Sequence, residues 1–257
     1  MCELLGVTTG RKVRINKLLE TFFSHSAEHR NGWGLALLDR DPVYLRREPI
    51  KASDSLYLKK ELEHDIETTK CIAHIREATI GEMKEENTHP FSRIDDTGRL
   101  WVLAHNGTIF DSDLLSPCQY VQEGTTDSER ILICIVGNIN RLCREKGREA
   151  ADEERIRIVE EAVHGIVPGN KVNILLNDGD LLYVHKNEAG TLYEKELGDG
   201  MVFSTKPLDS DDWTEFPDNR LMVYKDGTLV YEGKKHDWTY VHDDERMKML
   251  FLEYSGL

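Results

Sequence analysis

The chain has 257 residues, 39% of them hydrophobic and 31% charged, which is enough to build a substantial buried core. Its 33 basic and 47 acidic residues leave a net charge of -14, which argues against nucleic acid and anionic membrane surfaces as partners. The five cysteines, Cys2, Cys71, Cys118, Cys134 and Cys143, are odd in number and show no CxxC or Cys/His ligand spacing, so neither a disulfide framework nor a metal site is expected.

The first ten residues do not read as a secretory leader, because Arg11, Lys12 and Arg14 follow at once, and no apolar run approaches the roughly 18 residues of a membrane span. A reducing cytoplasm is the expected setting. Residues 2–8 read as a short strand stopped by Gly10, and residues 15–29 carry helical spacing with Leu18, Leu19, Phe22 and Phe23 on one side. Asn31-Gly32 signals a turn, and residues 33–38 and 43–47 form a strand pair joined near Pro42. A helix over 53–63, capped by Ser53 or Asp54, precedes an apolar strand over 71–76. Residues 78–99 are polar and contain glycine, as expected for a binding loop, and 100–105 is a strand running into Asn-Gly. Residues 127–146 form a strong helix with Ile131, Leu132, Ile135, Ile139 and Leu142 inward, capped by Thr126-Asp127-Ser128-Glu129. A helix over 152–164 ends at Pro168-Gly169. Hairpins are expected around Asp178-Gly179 and Asp226-Gly227, with a strand over 201–206 and a last helix starting near Asp243 or Asp244. The interleaving predicts largely antiparallel sheets covered by helices, in one domain over residues 1–257.

Cys2 directly follows Met1. Removal of Met1 would place a thiol and a free α-amine on one residue; the thiolate is a strong nucleophile, and the amine, with an ordinary pKa near ~8, can serve as its base. The bland reading is a buried strand cysteine. Four segments near strand ends carry further chemistry, each with a plain structural alternative. In His105-Asn106-Gly107-Thr108, the Asn106 side-chain amide and the Gly107 N–H could form an oxyanion hole, or the pair could be only a turn. In His74-Ile75-Arg76, the guanidinium suits bidentate capture of a carboxylate, or a surface ion pair. Asp127 could bind an ammonium, or merely open a helix. Gly32-Trp33-Gly34 could shape a pocket wall, or a tight turn around a core tryptophan. A nucleophile, an oxyanion hole, a carboxylate clamp and an ammonium clamp together describe a site for an amino acid with an acyl side chain, and glutamine satisfies each element.

With Asn87-Thr88-His89-Pro90-Phe91 and Phe203-Ser204-Thr205-Lys206-Pro207-Leu208 added, these motifs stand in the order found in class II glutamine amidotransferases, and the chain resembles that family over most of its length. The resemblance implies an α+β fold of the N-terminal-nucleophile hydrolase type, a four-layer αββα sandwich of two mainly antiparallel sheets. It implies that Cys2 attacks the glutamine amide, that Asn106 and Gly107 hold the oxyanion, and that Arg76 and Asp127 bind the α-carboxylate and α-ammonium. Thr88 and His89 then belong to a glutamine-covering loop, Trp33 and Gly34 lie near the nucleophile, and His105 adjoins the substrate site with a structural hydrogen bond. No cofactor is implied. The expected substrate is glutamine or a γ-glutamyl compound; the protein partners it allows are a separate ammonia-accepting synthetase subunit and further copies of the chain. Hydrolysis of another γ-glutamyl amide is the alternative activity, and a non-catalytic binding or regulatory module on the same fold is the alternative of a different class.

Overall fold

The computed structural model describes residues 2–77 and 82–255. Seven strands form one sheet: β1 (Glu3–Arg14), β2 (Trp33–Leu37), β3 (Tyr44–Glu48), β4 (Glu67–Ile75), and, after four strands of the other sheet, β9 (Tyr193–Leu197), β10 (Gly200–Ser204) and β11 (Thr214–Glu215). The second sheet holds β5 (Phe91–Ile94), β6 (Leu100–His105), β7 (Ile174–Asn177), β8 (Leu181–Lys186), β12 (Arg220–Lys225) and β13 (Thr228–Glu232). Strand order is β11-β9-β10-β1-β4-β2-β3 in the first and β13-β12-β8-β7-β6-β5 in the second, and the paired strands are antiparallel throughout.

Side-chain alternation gives each sheet two apolar faces. Between the sheets pack Leu4, Ile72, Val102, Ala104, Leu175 and Phe203. The outer face of the first sheet buries Leu5, Val7, Ala73 and Ile75 against Leu18, Leu19, Phe22 and Phe23 of α1 (Asn16–Ser24) and Leu58 of α2 (Leu56–Leu62). The outer face of the second sheet buries Leu103, Leu176 and Tyr183 against Ile131, Ile135 and Ile139 of α3 (Asp127–Lys146) and Val159 and Val163 of α4 (Asp152–Ile166). Helix, sheet, sheet and helix thus stack as the expected four-layer αββα sandwich. A last helix, α5 (Asp244–Ser255), follows the second sheet, and no helix among the described residues is long and apolar enough to cross a membrane.

Several boundaries differ from expectation. The first strand does not stop at Gly10 but runs to Arg14, because its far half pairs Val13 with Thr68 and Arg14 with Glu67 after a register shift. The helix expected over 53–63 starts at Leu56, with Ser55 as its cap: the Ser55 hydroxyl accepts the Leu58 N–H at 3.0 Å and donates to Glu48, while Ala52–Asp54 form a separate 3-10 turn. Within the expected loop over 78–99, residues 78–81 lie outside the described residues, Glu85–Asn87 are a 3-10 turn, and Phe91–Ile94 are β5, which pairs with β6. The strand expected over 201–206 is Gly200–Ser204. Strands β9 and β11 were not expected.

Candidate active site

The topology gathers one end of the sandwich into a site. Strand β1 starts there, and β4, antiparallel to it, ends there: Glu3 pairs with Ile75 and Leu4 with His74. Strand β6 ends there at His105, and α3 begins there at Asp127. A small pocket of about 30 Å³ is lined by Cys2, Arg76, Glu77, His89, His105, Gly107, Thr108, Thr126, Asp127 and Ser128. Two larger clefts, about 370 Å³ each, lie at Arg99 and the Asp178 hairpin and between α3 and α4; neither contains a cysteine.

The Cys2 thiol donates to the Glu77 carbonyl oxygen at 3.4 Å. Burial pushes the thiol up from its ordinary value, outweighing that hydrogen bond and the nearby positive charges of Arg76 and Lys171. It therefore rests as the protonated thiol at neutral pH and needs a base to become a nucleophile. Cys71, Cys118, Cys134 and Cys143 are buried away from the pocket, and burial pushes Cys134 up to about 12.

His105 is fixed rather than poised for proton transfer. Its Nδ1 lies 2.8 Å from Ser128 Oγ and its Nε2 3.2 Å from the Lys171 carbonyl oxygen. The next residues continue the pairing, with Asn106 N–H donating to Asn173 O at 2.9 Å and Thr108 N–H to Lys171 O at 3.1 Å. Gly107 threads a slot that admits no side chain: a Cβ there would lie well under 3.0 Å from both the Lys171 carbonyl oxygen and His105 Nε2, closer than real Cβ atoms come.

Asp127 sits in the first turn of α3, below the Thr126 cap, whose hydroxyl accepts the Glu129 N–H at 3.4 Å. Its carboxylate accepts the Ile109 N–H at 2.7 Å on one oxygen and the Ser128 N–H at 2.9 Å on the other, so its direction is set before any ligand arrives. Arg76 is buried at the end of β4; its backbone N–H donates to Gly32 O at 2.8 Å and its guanidinium to Glu82 O at 3.3 Å. His89 and His74 stack with ring centroids 4.3 Å apart. Burial is the main cause that pushes His74 down to about 3 and His89 well below the ordinary histidine value, so both rings stay neutral, and of the two His89 lines the pocket.

Of the residues singled out in the sequence, Cys2, Arg76, His89, His105, Gly107 and Asp127 line the pocket together. Asn106, Thr88, Trp33 and Gly34 do not. Asn106 is buried between the two pocket residues that flank it. Thr88 is bound through its hydroxyl to Lys84 O at 2.9 Å and packs on Gly32. Gly34 lets β2 pass against the loop, since a Cβ there would come within 2.6 Å of Pro90 Cδ; Trp33 packs edge-on to Phe23 at 5.7 Å in the helix-covered core. Sequence reasoning missed Glu77, which accepts the thiol proton's hydrogen bond through its backbone, and Ser128, which fixes His105. Ser128 stood inside the Thr126-Asp127-Ser128-Glu129 motif, where only its capping neighbours drew notice.

The sequence profile of the class-II glutamine amidotransferases matches residues 1–196. An uncharacterized protein of Methanocaldococcus jannaschii is 30% identical over 262 aligned positions, covering 91% of this chain and 72% of that protein. The glutamine–fructose-6-phosphate aminotransferase (isomerizing) of Streptococcus pyogenes is 24% identical over 91% of this chain but only 38% of that enzyme. A crystal structure titled as a predicted glutamine amidotransferase of Pseudomonas aeruginosa superposes with a TM-score of 0.60 at 23% identity, covering 90% of this chain and all of that one, which shows a shared fold. With a profile match over most of its length, and a relative of this identity and coverage, the chain belongs to the class-II glutamine amidotransferases.

Proposed function

We propose that the protein cleaves the side-chain amide of glutamine to glutamate and ammonia, with Cys2 as nucleophile after removal of Met1. The observation that carries this reading is the single pocket shared by Cys2, Arg76, Asp127 and Gly107. A protonated thiol in that pocket requires a base, and the α-amine of the same residue, directly or through one water, is suited to take its proton. Sulfur then bonds to the amide carbon and the C=O pair moves onto oxygen. The Gly107 N–H and the Asn106 side-chain amide stabilise that oxyanion. Collapse breaks the C–N bond, the amine returns its proton to the departing ammonia, and water hydrolyses the γ-glutamyl thioester, releasing glutamate and the thiol.

Arg76 holds the α-carboxylate and Asp127 the α-ammonium, while Thr88 and His89 belong to the loop that covers the substrate, with Gly34 and Trp33 near the nucleophile. The five cysteines, all free, suit a cytoplasmic setting, with residues 1–257 acting as one domain. The protein partner proposed is a separate ammonia-accepting synthetase subunit.

Glutamate release from glutamine, measured for wild type, Cys2→Ala and Asn106→Ala, tests the reading. Cys2→Ala is expected to abolish release. Asn106→Ala, which loses one oxyanion donor, is expected to lower kcat by about 10²–10³-fold with little change in KM. Wild-type rates in either variant overturn the assignment, and release from γ-glutamyl amides but not from glutamine moves it to the alternative substrate class.

A further inference from the structure

On the central strands β1 and β4, the helix-covered face of the first sheet is apolar as it approaches the nucleophile and turns charged beside it. On β1 that face carries Val7 and Leu5 and then Glu3; on β4 it carries Cys71, Ala73 and Ile75, with Glu77 two residues further on. Glu3 follows Cys2 and points to the opposite side of the strand. Its side chain is 1% exposed, and its carboxylate receives His25 Nδ1 at 2.8 Å, His29 Nε2 at 3.1 Å and Lys206 Nζ at 2.7 Å. These partners come from three places: the 3-10 turn after α1, the loop that follows it, and the segment after β10.

The second nitrogen of His29 faces Glu77. Nδ1 lies 4.0 Å from Glu77 Oε2, an ion-pair separation too long for a hydrogen bond, and neither atom has a hydrogen-bond partner. Glu77 in turn supplies the carbonyl oxygen that receives the Cys2 thiol. The contacts therefore close a ring around the nucleophile, from Cys2 through its neighbour Glu3 to His29, on to Glu77, and back to the thiol. A buried carboxylate costs several kcal/mol to desolvate, and an apolar side chain would have continued the pattern of this face without that cost.

We propose that His29 is a positioning residue that mounts the nucleophile: its ring ties Glu3 to Glu77, so that the start of β1 and the carbonyl receiving the thiol are held at one fixed separation. This rests on the reading of Cys2 as nucleophile. Glu3 anchors the mount and Lys206 and His25 brace it from either side. Glu3, His25, His29 and Lys206 do not line the pocket, so substrate affinity is not their concern; Glu77 does line it.

The test uses His29→Leu and Glu77→Gln in the full chain. It measures kcat and KM for glutamine, the thermal midpoint, and the rate at which iodoacetamide alkylates Cys2, which needs no glutamine site. His29→Leu is expected to lower both kcat and the alkylation rate at least tenfold with KM within threefold of wild type, and Glu77→Gln to lower both three- to tenfold. If His29→Leu does not fold, Glu77→Gln, whose side chain is 42% exposed, decides alone. A folded variant with kcat and alkylation rate within twofold of wild type overturns the proposal, as does a fall in thermal midpoint alone. A wild type that hydrolyses no glutamine, yet shows His29-dependent alkylation of Cys2, would sink the proposed activity and leave the mount standing.

Discussion

Gly107→Ala isolates the slot between the residues that follow β6 and the segment at Lys171. The added methyl would lie well under 3.0 Å from the Lys171 carbonyl oxygen and from His105 Nε2, and 2.9 Å from His105 Cε1. None of these is the free end of a flexible side chain: Lys171 O is backbone and already accepts from Thr108 N–H and His105, and the ring is held by Ser128. Relief therefore needs the backbone to move by roughly 1 Å, and a misplacement of that size costs on the order of 10²-fold in rate. The proposed oxyanion donor is the moved group itself, which brings the expected loss of kcat to about 10²–10³-fold, with about 1–3 kcal/mol of overpacking cost to stability. Glutamate release at saturating glutamine gives kcat, and urea denaturation gives stability. A variant that keeps kcat within threefold of wild type refutes the reasoning, because a donor displaced by an ångström cannot still serve the oxyanion.

Gly137→Ala is the matching control: Gly137 lies in the interior of α3 with open space around its Cβ position, so the change should stabilise by about 0.5–1 kcal/mol and leave kcat unchanged, read by the same two assays. Asp178→Ala removes the buried carboxylate that accepts from Arg155 Nε at 2.7 Å and from the Tyr183 hydroxyl at 2.8 Å, leaving the 3% exposed Arg155 only the more exposed Asp152 and Asp180 as ion-pair partners; urea unfolding should show a loss of about 3–5 kcal/mol, and a loss below 1 would contradict it. Burial by itself would raise the Glu3 carboxyl, but hydrogen bonds from His29, Lys206 and His25 outweigh it and hold it at about 2, against an ordinary 4.5. A carboxyl lower in the folded than in the unfolded chain adds stability above the unfolded value and loses it as pH falls toward the folded one. Wild type should thus lose up to about 3 kcal/mol between pH 4.5 and 2 that Glu3→Gln does not, and parallel stability curves for the two would refute this.

Part of the pocket lining, namely Cys2, Arg76, His89, His105, Gly107 and Asp127, was legible because these residues sit in short motifs at points the chain punctuates strongly. His105-Asn106-Gly107 ends an apolar strand, Thr126-Asp127 opens a long amphipathic helix, and Cys2 opens the chain. The antiparallel hairpins at Asp178-Gly179 and Asp226-Gly227 were equally open to reading, since turn residues and apolar alternation agree there. What stayed hidden depends on distant partners. The far half of β1, through Gly10, Arg11 and Lys12, is exposed and carries no apolar alternation, so only its pairing with β4 reveals it. Strand β9 alternates Glu194, Lys195 and Glu196 and looks like a loop until β10 pairs with it. The cap of α2 is Ser55 rather than Ser53 or Asp54 because Glu48, seven residues earlier, fixes the Ser55 hydroxyl. Glu3 carries no signal of its own in the sequence; its three basic partners are 22, 26 and 203 residues away.

The most direct test of the account is peptide-resolved mass spectrometry of the purified protein before and after a glutamine-like electrophile that forms a covalent adduct. The account predicts that active protein begins at Cys2, that one adduct forms, that it sits on Cys2, and that glutamate release falls in proportion to it. Full activity in protein that retains Met1, or inactivation with the adduct on Cys71, Cys118, Cys134 or Cys143, would contradict it.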